Sequence, residues 1–422
     1  MTRKLVTTWC SRASAKQRAG RAGRVQPGIC LRLFSSKTNH TLMAPTTEPE
    51  LQRLPLEEVC LTILAGRLAS HGCATFLNQT PQPPKAQAVA AALTSLEQVG
   101  AIRVPQDDDT DKHESVFEQL TPLGLQLAKL PVDCRLGKML LLGAQFCCVD
   151  TIATIVAGLS ASQSPFLSSL RDGEAATAKH ARFRHQNSDF LTLLNLFNAY
   201  LDAGETFSFC RENFVSFSAL REMKEARKHY LELLSGMGWL ERDARHRNIN
   251  GQDDVILHAV IAAALSQMAR VDRASGGKDT LWHRSIGTTD QQVHVHKSSV
   301  NAILPRKLPS RWLVFFEKFA TSSRVSINMT AFCSPLSLVL LVGHKFEIQH
   351  AVRRVELDGW MEIGLAATTS VQMSALRRHL RDLHKETRLV DGVVSLLKQD
   401  ADRSALWDSS AVGAVAAHRG IT

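Results

Sequence analysis

The spacing of apolar positions predicts a long helical part in the first 240 residues. One helix has apolar positions at helical intervals, at Leu56, Val59, Cys60, Ile63 and Leu64. An Ala- and Leu-rich helix is predicted over 86–99, and Gly100 ends it. The apolar run over 139–159 is broken by Gln145 and Asp150. It therefore predicts two buried helices and not a membrane span.

Further along, the pattern changes to short segments that alternate or are strongly apolar. These segments are 293–296, 312–316, 324–327, 335–342 and 346–349. Short strands at regular spacing predict a small barrel. After them, an amphipathic helix is predicted over 371–398, with an apolar side at Leu376, Leu380, Leu383 and Leu389. The fold class is thus multidomain and mainly α, with a β-barrel near the C-terminus.

Composition adds a positive charge and a pattern of isolated cysteines. The net charge of +10 and the pI near 9.3 favour a polyanionic partner, but they do not choose between RNA, DNA and an acidic membrane. The 9 cysteines contain no Cys-x-x-Cys pair, so zinc ribbons are not indicated. Several lie in apolar runs, where they are expected to be small buried hydrophobes. A reduced intracellular compartment fits this usage best.

The run QRAGRAGR, from Gln17 to Arg24, is the most specific motif. On a helix, Gln17, Arg21 and Arg24 would share one face. Glycines at 20 and 23 allow a backbone or a phosphate to come close. Guanidinium groups suit bidentate contact with phosphate and stabilise charge on a transferring phosphoryl group. The first 47 residues also lack Asp and Glu, which is typical of a mitochondrial transit peptide or of a basic arm.

This run resembles motif VI of the DEAH/RHA RNA helicases of superfamily 2. The resemblance implies that Arg21 and Arg24 are arginine fingers that reach ATP, and that Gln17 orients the γ-phosphate and the attacking water. A turn at 27–28 that leads into an apolar strand over 29–34 is also similar to the family. Because the motif lies near Met1, the chain resembles the second half of such a helicase.

Other strings extend the resemblance over most of the chain. LPLEEVCL, FLNQTPQPP and the stretch from Leu120 to Leu159 resemble the helicase-associated region. VHVHKSSVN, WLVFFEKFATSSRVSI and DGWMEIGL resemble the OB-fold that follows it. Two positions depart from the family: Phe190 stands where His is usual, and 264–268 lacks the usual Gly, aromatic and Pro, so the loop there is expected to be altered.

The resemblance implies an order of domains along the chain. They are the end of a second RecA-like domain over 1–36, a connector over 37–53, a winged helix over 54–130 with a solvated hairpin at 107–109, a helical ratchet bundle over 131–240, a linker over 241–254, an OB-fold over 255–370, a C-terminal helix over 371–398 and a flexible tail over 399–422.

The sequence has neither a Gly-x-x-x-x-Gly-Lys-Ser/Thr phosphate loop nor an Asp-Glu-x-His segment for magnesium. We therefore expect the chain to be inactive alone and to bind no cofactor alone, with ATP and Mg²⁺ belonging to the complete enzyme. Either the coding sequence starts upstream, or the chain works with a partner half. Whether the chain is itself an enzyme stays open.

Other polar groups are weaker candidates for sites. His294 and His296 share one face of a predicted strand, but packing is favoured over a metal site because no third ligand is near. Arg324, in the TSSRV string, is the better candidate for RNA contact. The pairs Arg353–Arg354 and Arg377–Arg378 are expected to be solvated charges.

Two functions follow from the resemblance. The first is the C-terminal portion of an ATP-dependent 3′–5′ RNA helicase, which forms the wall of the RNA channel and supplies arginine fingers. The second is a stand-alone RNA-binding or regulatory module without ATPase activity. The expected partners are single-stranded RNA, the missing N-terminal half, and a ribosome or ribonucleoprotein, without a membrane. The expected location is the cytoplasm or nucleus, with the mitochondrion as the alternative.

Overall fold

The computed structural model describes most of the chain in eleven segments. They cover residues 3–4, 8–104, 117–167, 173–240, 246–273, 279–285, 288–321, 324–343, 345–349, 353–382 and 393–398. The hairpin predicted at 107–109 and the tail predicted over 399–422 lie outside the described residues.

The N-terminal segment contains a short strand and three short helices. They are β1 Arg3–Lys4, α1 Arg12–Ala19, α2 Ser36–Thr41 and α3 Glu50–Arg53. The Ser11 hydroxyl begins α1 by accepting the Ser14 amide at 3.1 Å, as an N-cap residue does. The strand predicted over 29–34 does not form, and Ile29, Leu31 and Leu33 are 84% to 97% exposed. A strand needs neighbours for its backbone groups, and no described strand lies beside this one.

Eleven helices follow, with one small hairpin among them. The helices are α4 Glu57–Ala65, α5 Cys73–Asn78, α6 Ala86–Val99, α7 Pro122–Leu127, α8 Cys134–Gln145, α9 Val149–Ser160, α10 Gly173–His180, α11 Asp189–Asp202, α12 Phe207–Glu212, α13 Phe217–Gly236 and α14 Asp254–Leu265. The hairpin pairs β2 Ile102–Arg103 with β3 Gln119–Leu120. The predicted end of α6 is confirmed, since Gly100 is left-handed with φ of 84°. The two buried helices predicted in 139–159 are confirmed as α8 and α9.

Two segments of this helical region differ from what the sequence suggests. The end of the predicted linker lies against α8 and α9: the Arg247 guanidinium donates to the Asp150 carboxylate at 2.8 Å, and the Asn250 amide donates to the Phe146 carbonyl at 3.0 Å. Phe190, in place of the expected histidine, is fully buried in the main core. An imidazole there would need a hydrogen-bond partner, whereas the phenyl ring needs only packing.

Five strands form a closed barrel. They are β4 Met268–Asp272, β5 Thr280–His283, β6 Gln291–Val295, β7 Trp312–Ala320 and β8 Val325–Cys333. The order is β7-β4-β5-β6-β8, and the β7–β8 pairing closes the ring. β6 and β8 run parallel, and the other barrel pairs are antiparallel. Alternate positions such as Leu313 and Phe315 fill the interior, while their neighbours face the helices.

The segment from 335 to 398 corrects three predictions. Residues 335–342 are not a strand: α15 Pro335–Leu341 forms because the Ser334 hydroxyl caps it and Pro335 fits its first turn. The predicted strand at 346–349 exists as β9 Phe346–Gln349, but it pairs outside the barrel with β10 Arg354–Leu357, which also pairs with β11 Met361–Gly364. The last helix, α16 Ala367–Asp382, starts before 371. Residues 393–398 are also helical, and Leu383 and Leu389 lie outside the described residues.

The turn from α14 into the barrel is tight. Ser266 has a left-handed backbone with φ of 51°, and its amide donates to the Ala262 carbonyl. The expected change in this loop thus takes the form of a left-handed helix cap without glycine. It brings β4 directly against the helices. Among the described residues, no helix is long and apolar enough to cross a membrane.

Candidate nucleic-acid interface

The arginine motif begins in the last turn of α1, and its residues 20–24 lie beyond the end of the helix. α1 ends at Ala19, and Gly23 is left-handed with φ of 82°. The prediction that Arg21 and Arg24 share a helical face with Gln17 is therefore wrong, because the glycines end the helix. A Cβ on Gly28 would lie 3.0 Å from the Gly23 nitrogen, so the chain folds back tightly here.

All three predicted motif side chains are exposed. Within the described chain, none of them makes a side-chain hydrogen bond or ion pair. The two guanidinium groups are thus presented by a folded-back turn and are free to meet an anion. This is a different geometry from the one that the sequence predicted, but it keeps the same side chains accessible.

Arg324 lies in the loop that joins β7 to β8, the fourth and fifth strands of the barrel. The Thr321 amide donates to the Arg324 carbonyl at 2.9 Å, and the Arg324 amide donates back to the Thr321 hydroxyl at 3.3 Å. These bonds hold the loop closed while the Arg324 side chain stays exposed. In five-stranded barrels of this type, this loop is one of the two that bind oligonucleotides.

His296 brings a second basic segment to the same end of the barrel. Its amide donates to the Ile327 carbonyl at 2.8 Å, and its ring meets the Phe319 ring at 5.4 Å. Burial lowers the pKa of His296, and the nearby charges of Lys297 and Arg324 lower it further. We call His296, Lys297, Phe319 and Arg324 the barrel-end patch. It combines two cations with an aromatic ring, as surfaces that bind single strands do.

Sequence reasoning selected Arg324 but missed Lys297 and Phe319, because their proximity depends on the parallel β6–β8 pairing. Outside the patch, the sequence analysis also did not consider Trp282, which lies on the outer face of β5 between Arg270 and Gln292. Alternation in Thr280–His283, with Leu281 inside, is the signal that could have found it. Trp282 is half-buried, and its ring nitrogen donates to the Thr280 hydroxyl at 3.2 Å.

Comparison with known proteins decides the family. Residues 133–193 match the ratchet-like helicase associated domain, and residues 256–345 match the oligonucleotide/oligosaccharide-binding (OB) fold. The chain is 34% identical to the DExH-box ATP-dependent RNA helicase DExH3 of Arabidopsis thaliana over 90% of its length, covering 30% of that protein. It is also 34% identical to the human ATP-dependent DNA/RNA helicase DHX36, again over 90% of its length and 37% of that protein. This chain has the C-terminal region of a DEAH-box helicase.

The helicase region spans about a third of the length of these relatives. A further relative, the human ATP-dependent RNA helicase DHX29, is 31% identical over 88% of the chain and is covered over 27% of its length.

A buried carboxylate joins the two matched domains in this structure. Asp189, the first residue of α11, accepts the Val300 and Thr330 amides, each at 2.7 Å, and the Ser299 hydroxyl at 2.6 Å.

The Asp189 contacts fix the ratchet-like helices against the barrel. Asp189 is only 7% exposed, and its carboxylate accepts four hydrogen bonds from three residues, while no cation of the described residues lies within ion-pair distance. Nearby, the Asn301 amide donates to the Asn187 carbonyl at 3.2 Å, and the Phe332 amide donates to the same carbonyl. We call these contacts the Asp189 anchor. They hold the barrel-end patch in a fixed position relative to α11.

The remaining polar candidates in the helicase region have structural surroundings. The described residues contain no group of three potential metal ligands, and Nδ1 of His296 contacts the Ser298 hydroxyl at 2.7 Å. Arg377 was expected to be solvated, but it is buried, with its guanidinium donating to the Val339 and Gly343 carbonyls and stacked over Phe346. Arg354 pairs with Glu362 on the surface.

Proposed function

We propose that this region forms part of the RNA channel wall of an ATP-dependent 3′–5′ RNA helicase. The barrel-end patch carries the proposal. It places the cations of Lys297 and Arg324 near His296, whose ring contacts Phe319, next to a loop through which barrels of this class bind oligonucleotides. Single strands are held by such cations through the backbone and by aromatic rings through stacking. The DNA/RNA and RNA helicases named above support the assignment to nucleic acid.

The helices contribute the rest of the wall. In this proposal, α4 to α7 with the β2–β3 hairpin act as a winged helix, and the helices from α8 to α13 form the ratchet. The three helices α4, α5 and α6 around a small hairpin fit the first role, and the match of 133–193 supports the second. The proposed domain boundaries are those expected from the sequence, except that the C-terminal helix begins at Ala367.

We also propose that Arg21 and Arg24 act as arginine fingers toward ATP, with Gln17 beside them. Their exposure and lack of protein partners support this role. The chain has no phosphate loop, so a RecA-like half would hold ATP and Mg²⁺. Guanidinium groups stabilise the charge that develops during phosphoryl transfer, and they need a second domain to bring the phosphates to them. Cytoplasmic or nuclear RNA, free or in a ribonucleoprotein such as the ribosome, is the proposed substrate environment.

The test of the RNA interface uses the 422-residue chain and a fluorescent 12-nucleotide oligo(U). Arg324→Ala with Lys297→Ala should weaken binding, and each phosphate that loses its cation should reduce the salt slope by about one. Arg354→Ala is the matched control, because that arginine is exposed but neutralised by Glu362. Unchanged affinity and slope in the double variant would exclude the barrel-end patch as the interface.

The second candidate is a stand-alone RNA-binding or regulatory module without ATPase activity, in which the barrel-end patch would bind RNA. Arg21→Ala separates the two functions when it is made in a chain that also carries a RecA pair. Loss of RNA-stimulated ATPase with RNA binding retained supports the finger assignment. An ATPase rate equal to that of the unaltered protein excludes it. RNA binding by the 422-residue chain alone is expected under both functions.

A further inference from the structure

A cleft of about 390 Å³ lies between the outer face of the barrel and two helices, α6 and α8. It is on the opposite side of β7 from the barrel-end patch, because Lys318 and Phe319 are neighbours in a strand and face opposite ways. The cleft has the size of a small-molecule site. Its lining includes Ser95, Gln98, Ser266, Ser285, Lys318 and Trp360.

Lys318 is the unusual charge in this cleft. It is half-buried, and burial lowers its pKa. Its ammonium nitrogen lies 3.5 Å from the Ser285 hydroxyl, and no carboxylate of the described residues is within ion-pair distance of it. A desolvated ammonium group without a counter-ion is costly. Such a group is stabilised when a ligand supplies the missing negative charge.

The surroundings hold Lys318 and Ser285 in a defined orientation. Nδ1 of His283 lies 2.8 Å from the Met268 carbonyl, so Nδ1 must carry the proton and donate it. Nε2 of His283 then accepts from the Ser285 hydroxyl at 3.2 Å, which leaves the Ser285 lone pairs for the ammonium group. Burial lowers the pKa of His283 to about 4, so the imidazole stays neutral at physiological pH.

The other cations in the lining already have partners. Arg284 is paired with Asp290 at 2.6 Å, and Arg135 is paired with Asp133 at 2.9 Å while its guanidinium lies over the Phe316 ring. Asp358, also in the lining, accepts the Lys345 amide at 2.8 Å. Lys318 is therefore the lining cation for which the described chain offers no carboxylate.

We propose that this cleft binds a nucleoside phosphate, with Lys318 as the charged contact to the phosphate. The Ser95 hydroxyl and the Gln98 amide can donate to an anion with several acceptor oxygens, while Ser285 positions the ammonium group of Lys318. Trp360 supplies an apolar wall for the attached nucleoside, and the cleft is larger than a phosphate ion needs. The nucleoside phosphate can be a free nucleotide or one residue of an RNA strand, since both present the same group.

The test titrates AMP into the 422-residue chain by calorimetry, and the labelled oligo(U) by anisotropy at several salt concentrations. Lys318→Met keeps the aliphatic stem and removes the charge. We expect AMP affinity to fall by about tenfold or more, as when a charge-assisted hydrogen bond is removed. Ser285→Ala should give a smaller decrease. Thermal melting of each variant checks that the fold is retained.

Lys297→Met is the matched control, because that lysine belongs to the barrel-end patch. It should weaken RNA binding and leave AMP binding unchanged, so that a failure of the RNA interface and a failure of the cleft are distinguishable. If Lys318→Met weakens AMP binding and also lowers the RNA salt slope, the cleft takes a nucleotide of RNA. If AMP binding alone is weakened, it takes a free nucleotide. If Lys318→Met leaves both unchanged, or if AMP does not bind and the RNA slope is unaltered, the proposal is wrong.

Discussion

Two stretches of similar apolar character differ in this molecule: one is exposed to solvent and the other forms a buried strand. The segment over 29–33 leaves Ile29, Leu31 and Leu33 almost fully exposed, whereas in β7 the residues Trp312 and Phe315 are buried. β7 has β4 on one side and β8 on the other, and its two faces meet the barrel interior and the helices. Apolar sequence is therefore not sufficient for a strand. The partners on either side decide whether it forms.

The substitution with the largest expected effect on the free energy of unfolding lies in the barrel interior. Phe315→Ala removes a fully buried ring, and we expect the free energy of unfolding to fall by about 3 to 5 kcal/mol. Urea unfolding followed by tryptophan fluorescence measures the change. A decrease below about 1 kcal/mol would mean that the barrel interior can collapse around the gap or contributes little to stability.

The Asp189 anchor tests whether the barrel and the helices depend on each other. Asp189→Ala leaves the Val300 and Thr330 amides and the Ser299 hydroxyl without their acceptor, and each unsatisfied buried donor costs about 1 to 3 kcal/mol. Some donors will find water, so we expect a decrease of about 3 kcal/mol in the free energy of unfolding. Asp189→Asn keeps one acceptor oxygen and should lower it less. Equal stability of the alanine variant and the unaltered chain would contradict the anchor.

We expect acid to lower the free energy of unfolding, because His283 in β5 takes up a proton when the chain unfolds. Its pKa is about 4 in the folded chain and near the ordinary value of 6.5 when unfolded, so between these values the unfolded chain binds the extra proton. Stability is therefore full above pH 6.5 and falls as the pH drops toward 4, by roughly 2 to 3 kcal/mol. Unfolding measured from pH 7 to 4 should show a shallower acid slope for His283→Gln. His294→Gln, at an exposed position of β6, is the control and should keep the slope of the unaltered chain.

The smallest effect is expected in the exposed segment. Leu33→Ser should change the free energy of unfolding by less than about 0.5 kcal/mol, because Leu33 is 97% exposed. The same urea assay used for Phe315→Ala makes the comparison direct. A decrease above about 1 kcal/mol would show that this segment is covered in solution.

Local signals explain which parts of the fold the sequence predicts. The end of α6 at Gly100 and the break between α8 and α9 depend on residues within a turn or two, and both are found as predicted. Residues 335–342 were misassigned because a short apolar run fits a strand or a buried helix equally well. The serine cap at Ser334 was the local signal that distinguished them.

The candidate sites are harder to predict from the sequence than the helices, because they depend on contacts between distant segments. Arg324 could be selected from its string, but Lys297 comes from the turn that follows β6. The cleft at Lys318 needs α6 and a histidine in β5, which no pattern in the sequence connects. Arg21 and Arg24 were selected by resemblance, yet their geometry was wrong because two glycines end the helix that was assumed for them.

The Asp189 anchor also has a consequence for synthesis of the chain on the ribosome. Its partners lie 110 to 141 residues downstream, so α11 leaves the exit tunnel long before Ser299 and Thr330 do. Until then the carboxylate at the start of this helix must remain hydrated, because the residues that donate to it have not yet been translated. The contacts that join α11 to the barrel can therefore form only after the barrel has been translated.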